Sequence, residues 1–262
     1  MDVFRGSFGA KHVIPLYRDA AGTQPNLPAG LLPLLAATYG HPVAAPDVLA
    51  YAYALLAAPR YAALFRTELE TPGPRLPLTR DAALFGRAGA VGRALLALHA
   101  GPGALAPPPG RARLAVGTPA TPAAYPDAYR YDEAAETLHL LRDRAAVGQL
   151  TGLAPAVWRL RVSGLRVVES WLSYRLLARA GRSSSPLDAL RPPAWTFDLD
   201  LLRLLWTLEA TLAQHPEAAA TLDAVLAGPL LLASELPVPT AAEQAGPGAG
   251  GAGGGGQGGL FG

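Results

Sequence analysis

Leu114-Ala115-Val116, Tyr129-Arg130-Tyr131, Thr137-Leu138-His139-Leu140-Leu141 and Val157-Trp158-Arg159-Leu160-Arg161-Val162 are the runs that decide the fold. Each is short, rich in strand-favouring residues and separated from the next by turn residues, so the four read as strands. A small antiparallel sheet is the simplest assembly. Side chains alternate along a strand, which would place Arg159 and Arg161 on one face while Trp158, Leu160 and Val162 face a core.

Helices flank this middle region. Upstream, Pro46 suits a first helical position, Val48, Leu49, Leu55 and Leu56 supply apolar faces, and Pro59 restarts a second helix through Tyr61, Leu64 and Phe65. A third helix starts near Asp81, with Thr79 as cap, and runs through Leu84, Phe85, Val91, Leu95 and Leu98. Gly86, Gly89 and Gly92 weaken it but would permit close packing. Downstream, helices are expected at Leu165–Ala180, Leu199–Gln214 and Pro216–Leu226. Val13–Leu16 reads as a short buried strand close to Met1, which hints at further sequence upstream. The expected class is α+β, mainly helical with a small antiparallel sheet and a disordered Gly-rich C-terminal tail. The expected organisation is a helical N-terminal subdomain over 1–100, a Pro/Gly connector over 101–110 containing Pro107-Pro108-Pro109, a sheet-plus-helix subdomain over 111–240, and the tail over 241–262.

With 262 residues, half of them hydrophobic, the chain can bury a real core and wholesale disorder is ruled out. The absence of cysteine removes disulfide frameworks, thiolate zinc sites and cysteine nucleophiles. The N-terminus lacks a secretory signal pattern, and the long uncharged stretch from Ala20 to Pro46 is broken by prolines and Gly40, so it is no membrane span. A cytoplasmic location is expected. Formal motif matches fail on context. Gly246, Gly248 and Gly251 satisfy a dinucleotide-type glycine spacing, but inside the low-complexity tail, with no strand before and no helix after. Pro192-Pro193-Ala194-Trp195 resembles the Pro-Pro-aromatic loop of adenine methyltransferases, yet Arg191 stands where the hydrogen-bond acceptor belongs. His12, His41, His99, His139 and His215 form no metal-binding spacing, and no nucleophile elbow occurs. Asp198 and Asp200 read as residues favoured by a helix start. No catalytic residue and no metal ligand is assigned.

Charge is uneven along the second half. The formal net charge is +2 and Lys11 is the only lysine, an arginine preference that fits a GC-rich genome. From Ala156 to Arg182 stand six arginines, Arg159, Arg161, Arg166, Arg175, Arg179 and Arg182, against Glu169 alone. From Asp198 to Glu235 stand six acids against Arg203 alone. Arg175, Arg179 and Arg182 would share one sector of a helix, and Trp171, four residues before Arg175, is placed to stack on its guanidinium. Ser183 and Ser184 follow with free hydroxyls, and Ser185 suits the cap of a helix starting at Pro186. Arginines with hydroxyls and a helix start nearby are what hold nucleic-acid backbones.

The order of short motifs also resembles a known family. Val13-Ile14-Pro15-Leu16-Tyr17-Arg18-Asp19 with Asn26, the Tyr51–Tyr61–Phe65 hairpin, Pro74-Arg75-Leu76-Pro77-Leu78-Thr79, Val162-Ser163-Gly164, Ser170-Trp171-Leu172 with Tyr174-Arg175, and Ser184-Ser185-Pro186-Leu187-Asp188 with Trp195 are similar to the C-terminal specificity region of Type ISP restriction-modification enzymes. The resemblance reaches to about Pro239. It implies a target-recognition domain for double-stranded DNA, serving a long polypeptide with nuclease, ATP-driven motor and adenine-specific DNA methyltransferase parts that use ATP, Mg and S-adenosylmethionine. None of the motifs for those activities is present, so the chain by itself is expected to bind no such cofactor and to act with methyltransferase and motor domains, in cis or in trans. Arg159, Arg161, Arg175, Arg179, Arg182, Ser183 and Ser184 become the DNA-binding candidates. For Arg175 the competing reading is structural, paired to an acid such as Asp188. The rival functions are an enzyme of unrecognised type, and a non-catalytic interaction module or remnant in which the acidic 198–235 stretch docks a partner.

Overall fold

The computed structural model describes residues 15–70, 75–100, 107–162, 164–177 and 191–244. These residues form a mainly helical α+β protein with a small antiparallel sheet in its middle. The helices are α1 (Leu31–Tyr39), α2 (Ala45–Ala57), α3 (Tyr61–Leu64), α4 (Ala82–His99), α5 (Pro155–Trp158), α6 (Val167–Ser173), α7 (Asp198–Ala227) and α8 (Ala241–Gln244). The strands are β1 (Arg113–Val116), β2 (Ala128–Asp132), β3 (Thr137–Arg142), β4 (Ala145–Thr151), β5 (Arg161–Val162) and β6 (Leu165–Arg166). Contacts divide the chain into two compact units, one of residues 1–93 with 218–262 and one of residues 94–217. The expected connector, 101–110, lies within the second unit, and its residues 101–106 lie outside the described ones.

In the first unit an extended segment, 75–80, is gripped by helices. Tyr61, Tyr51 and Tyr39 donate their hydroxyls to the carbonyls of Arg75, Pro77 and Thr79, at 2.5, 2.6 and 2.7 Å. Alternate carbonyls of an extended chain point the same way, so three tyrosines on one side satisfy positions 75, 77 and 79. On its other edge the segment forms a bridge between Thr79 and Leu230 and receives the Leu231 amide at the Leu78 carbonyl. Phe85 of α4 stacks on both Tyr39 and Tyr51, with centroids 4.6 and 4.9 Å away. Asp81, rather than Thr79, takes the capping role for α4: its carboxylate accepts the Leu84 amide, while the Thr79 hydroxyl accepts the amide of Asp81. Of the three glycines of α4, Gly92 is the one packing requires, because a Cβ there would overlap the Ala50 carbonyl of α2. Gly86 faces open space.

In the second unit the four-stranded sheet has the order β1-β4-β3-β2, antiparallel throughout. One face, carrying Leu138, Leu140 and Leu150, joins Trp158, Leu172, Leu201 and Leu205 in a single core. Strand β4, Ala145-Ala146-Val147-Gly148-Gln149-Leu150-Thr151, carries no strong strand signal of its own. It forms because Asp143 and Arg144, both at positive φ, close a two-residue turn from β3. Gly148 is needed there, since a Cβ would collide with the Thr118 hydroxyl.

Several expectations are corrected. Val157–Val162 is not one strand: Pro155 starts the helical turn α5, so Val157 and Trp158 are both buried, where the expected one-face alternation of a strand would expose one of them. Leu165 does not begin a helix; Gly164, at φ +82°, turns the chain so that Leu165 and Arg166 pair with Val162 and Arg161. The helices expected on either side of His215 are one helix, α7, with Pro216 inside it. The lost hydrogen bond, about 3 kcal/mol, is outweighed by buried leucines along its length. Of the strand expected at Val13–Leu16, Val13 and Ile14 lie outside the described residues, and Leu16 belongs to a bend before an isolated bridge between Tyr17 and Pro25.

Candidate nucleic-acid interface

The basic stretch begins where α5 ends. Arg159 is exposed beyond Trp158, and its guanidinium forms an ion pair with Glu133 from the turn between β2 and β3. Arg161 and Arg166 are directly opposite in the β5–β6 hairpin, as are Val162 and Leu165. Like charges facing each other across a ladder are unfavourable by roughly 0.2–1 kcal/mol. Here Glu169 takes Arg166 at 2.7 Å, and the Arg161 guanidinium donates to the Gly164 carbonyl at 3.2 Å. The apolar pair of the hairpin is left in solvent, Val162 at 58% and Leu165 at 65% exposure. A short hairpin with an exposed apolar tip and an arginine on each strand is thus the most prominent feature of the stretch.

Arg175 has a different role. It lies just after α6, half-buried, with its guanidinium carbon 4.0 Å from the Trp171 ring centroid and 5.6 Å from that of Phe197. The stacking expected from the four-residue spacing is present, and the same guanidinium donates to the Trp171 carbonyl at 3.2 Å. Burial pushes its pKa below the usual guanidinium value, with Asp200 acting in the opposite direction. The Arg175 carbonyl in turn accepts the Tyr125 hydroxyl. These contacts tie Arg175 into the packing around Trp171, Phe197 and Tyr125. Arg179, Arg182, Ser183, Ser184 and the acid considered for Arg175, Asp188, lie outside the described residues.

Four acids of the 198–235 stretch are engaged by the protein itself. Asp198, in the first turn of α7, accepts the Thr118 amide at 2.7 Å and the Trp195 indole N–H at 2.6 Å. Glu209 accepts the amides of Arg111 and Ala112. In the other unit Asp223 pairs with Arg60, and Glu235 pairs with Arg80. The Arg80 hydrogen bond and the Leu232 amide hold the Glu235 carboxyl below its usual pKa. These carboxylates serve the protein's own amides and arginines.

Sequence reading passed over a second polar grouping. Tyr129 and Tyr131 turn toward Trp158, so Arg130 between them points to the opposite face of the sheet. The register then sets Arg130 opposite His139, and His139 opposite Gln149. The alternation in Tyr129-Arg130-Tyr131 and Leu138-His139-Leu140 was the available signal for the first two. His99, by contrast, is held by Thr211 at 2.8 Å. Among the described residues no three metal-ligating side chains cluster, and no helix is long and apolar enough to cross a membrane.

A family model described as the Type ISP C-terminal specificity domain matches residues 1–207. Among solved structures, the chain is similar to a cryo-electron-microscopy structure of a DrdV–DNA complex, with a TM-score of 0.53 and 21% identity, over 80% of this chain and 21% of that one. A nuclease-deletion mutant of the Type ISP restriction-modification enzyme LlaGI, in complex with a DNA substrate mimic, matches at a TM-score of 0.45 and 15% identity, over 69% of this chain and 14% of that one. The first likeness supports the fold; the second is too distant to add to it. The chain spans about a fifth or less of the length of these relatives. No curated protein matches it.

Proposed function

This chain belongs to the Type ISP C-terminal specificity domain family, and from that premise we propose that it reads DNA sequence for a restriction-modification enzyme whose catalytic parts lie in other domains. Adenine methylation from S-adenosylmethionine, and ATP- and Mg-dependent translocation and cleavage, belong to those domains in this reading. The match of the family model over residues 1–207 carries the proposal. The β5–β6 hairpin supplies a physical means for it.

A sequence reader needs charge to hold the phosphate backbone and side chains to meet base edges. Arg161, which has no acid partner among the described residues, holds a phosphate beside the hairpin. Arg159 adds a second once DNA competes with Glu133, an exposed pair of the kind worth about 0–1 kcal/mol. Val162 and Leu165 offer the apolar contact that distinguishes a thymine methyl group. Arg179, Arg182, Ser183 and Ser184 extend the phosphate-holding stretch, and Arg175 is held against Trp171.

Fluorescence anisotropy with duplex DNA over a range of salt concentrations tests this. The chain binds with an affinity that falls steeply with salt, and an Arg159→Ala/Arg161→Ala/Arg179→Ala variant loses affinity and has a shallower salt slope, by about one unit per phosphate contact removed. A folded chain that binds no duplex at low salt would refute the proposal.

A further inference from the structure

The outer face of the four-stranded sheet carries a row of polar side chains that the fold does not use. Arg130 on β2, His139 on β3 and Gln149 on β4 are successive cross-strand partners. Directly opposite residues of an antiparallel pair share a face, with Cβ atoms about 4.5–5.5 Å apart. The row therefore crosses the sheet at right angles to its strands. Among the described residues none of the three side chains makes a hydrogen bond or ion pair, whereas Arg111, Arg159, Arg166 and Arg203 in the same unit each have a carboxylate within 4 Å. Arg130 is exposed on the edge strand, and His139 and Gln149 are partly open to solvent. The opposite side of these strands holds the core leucines and Tyr129 and Tyr131.

We infer that Arg130, His139 and Gln149 form a second DNA-contacting surface that reads base edges in the major groove of a duplex. The inference rests on the DNA-recognition reading above. Three adjacent strands spaced about 4.8 Å apart span roughly 10 Å, so a row laid along the groove covers about three base-pair rises of about 3.4 Å. The chemistry matches the groove. An arginine fork meets guanine O6 and N7, a glutamine amide meets adenine N6 and N7, and the imidazole between them can donate or accept. Single-stranded nucleic acid is the poorer occupant, because its sheet-borne sites stack bases on aromatic rings and both tyrosines of β2 face inward. The row differs from the β5–β6 hairpin in kind: its arginine stands at one end, followed by an imidazole and an amide, so it contributes discrimination more than charge.

Selection of bound duplexes from a random-sequence pool, followed by sequencing, tests the row with the full chain. The unaltered chain enriches a motif. Arg130→Lys and Gln149→Ala leave melting temperature and salt slope nearly unchanged and relax the motif at one or two positions each, with about tenfold to a hundredfold less discrimination there. The lysine variant keeps the charge and removes the fork, so its loss of discrimination marks base reading and not phosphate holding. If the chain selects a motif and both variants select the same one equally well, the row is overturned while DNA recognition stands. If the folded chain binds no duplex, both are overturned.

Discussion

The helical unit and the sheet unit spend the same residue types in opposite ways. In residues 15–93 with 218–244, Tyr39, Tyr51 and Tyr61 direct their hydroxyls into the 75–79 backbone, and Arg60, Arg80 and Arg93 each meet a carboxylate of their own unit. In residues 94–217, Arg130 and Arg161 face solvent without an acid among the described residues, and two apolar side chains sit at an exposed hairpin tip. The shared family motifs therefore divide by purpose. Those of the first half assemble a frame around an extended segment, and those of the second half frame and carry an exposed surface.

Packing variants in the helical unit should break that frame most severely. Gly92→Ala forces a methyl group into the Ala50 carbonyl and is expected to destabilise by about 3 kcal/mol, the upper end for overpacking, read as a lower urea midpoint. Tyr51→Phe leaves the Pro77 carbonyl without its donor and the Thr79 amide without its acceptor, for a loss of about 1–3 kcal/mol. Burial pushes the Tyr39 hydroxyl up to about 12 and that of Tyr51 higher still. A tyrosine in the unfolded chain titrates near 10, so the native state holds these protons more tightly. Their contribution is complete below about pH 10 and is lost as pH rises through about 12. Alkaline titration should therefore unfold the wild-type chain more steeply over that interval than a Tyr39→Phe/Tyr51→Phe variant whose stability is matched at neutral pH. Gly86→Ala, only six residues before Gly92, should instead stabilise by up to about 1 kcal/mol, because it adds helix propensity into open space. Arg130→Ala and Arg161→Ala mark the smallest effect on folding, within about 0.5 kcal/mol of wild type by thermal melting.

Much of this arrangement was legible in the sequence where one residue type or one spacing carried the signal. Tyr129-Arg130-Tyr131 and Thr137–Leu141 announced β2 and β3, and Trp171 four residues before Arg175 announced their stacking. Elements maintained by neighbours were not legible. Strand β4 contains Gly148 and two alanines and exists because β1 and β3 pair with it on either side. The β5–β6 hairpin is two residues per strand, too short for any period to show. Helix α1 was hidden by Pro33, which is tolerated near a helix start, and α7 was divided at a proline its buried flanks override. The basic and acidic stretches were counted correctly, but the partners of their members come from elsewhere in the chain: Glu133 for Arg159, and the amides of Thr118, Arg111 and Ala112 for Asp198 and Glu209. The Arg130–His139–Gln149 row needed register, which sequence alone does not supply.

The division of roles is tested most directly by measuring duplex-DNA affinity at low and moderate salt for two charge-matched pairs of variants. Arg60→Ala/Arg93→Ala removes two cations from the helical unit, and Arg130→Ala/Arg161→Ala removes two from the sheet unit. The second pair should lower affinity about tenfold or more and reduce the salt slope by between one and two, while the first leaves both near wild type. Equal losses from the two pairs would contradict the account, and a larger loss from the helical pair would place the DNA surface in the wrong half of the molecule.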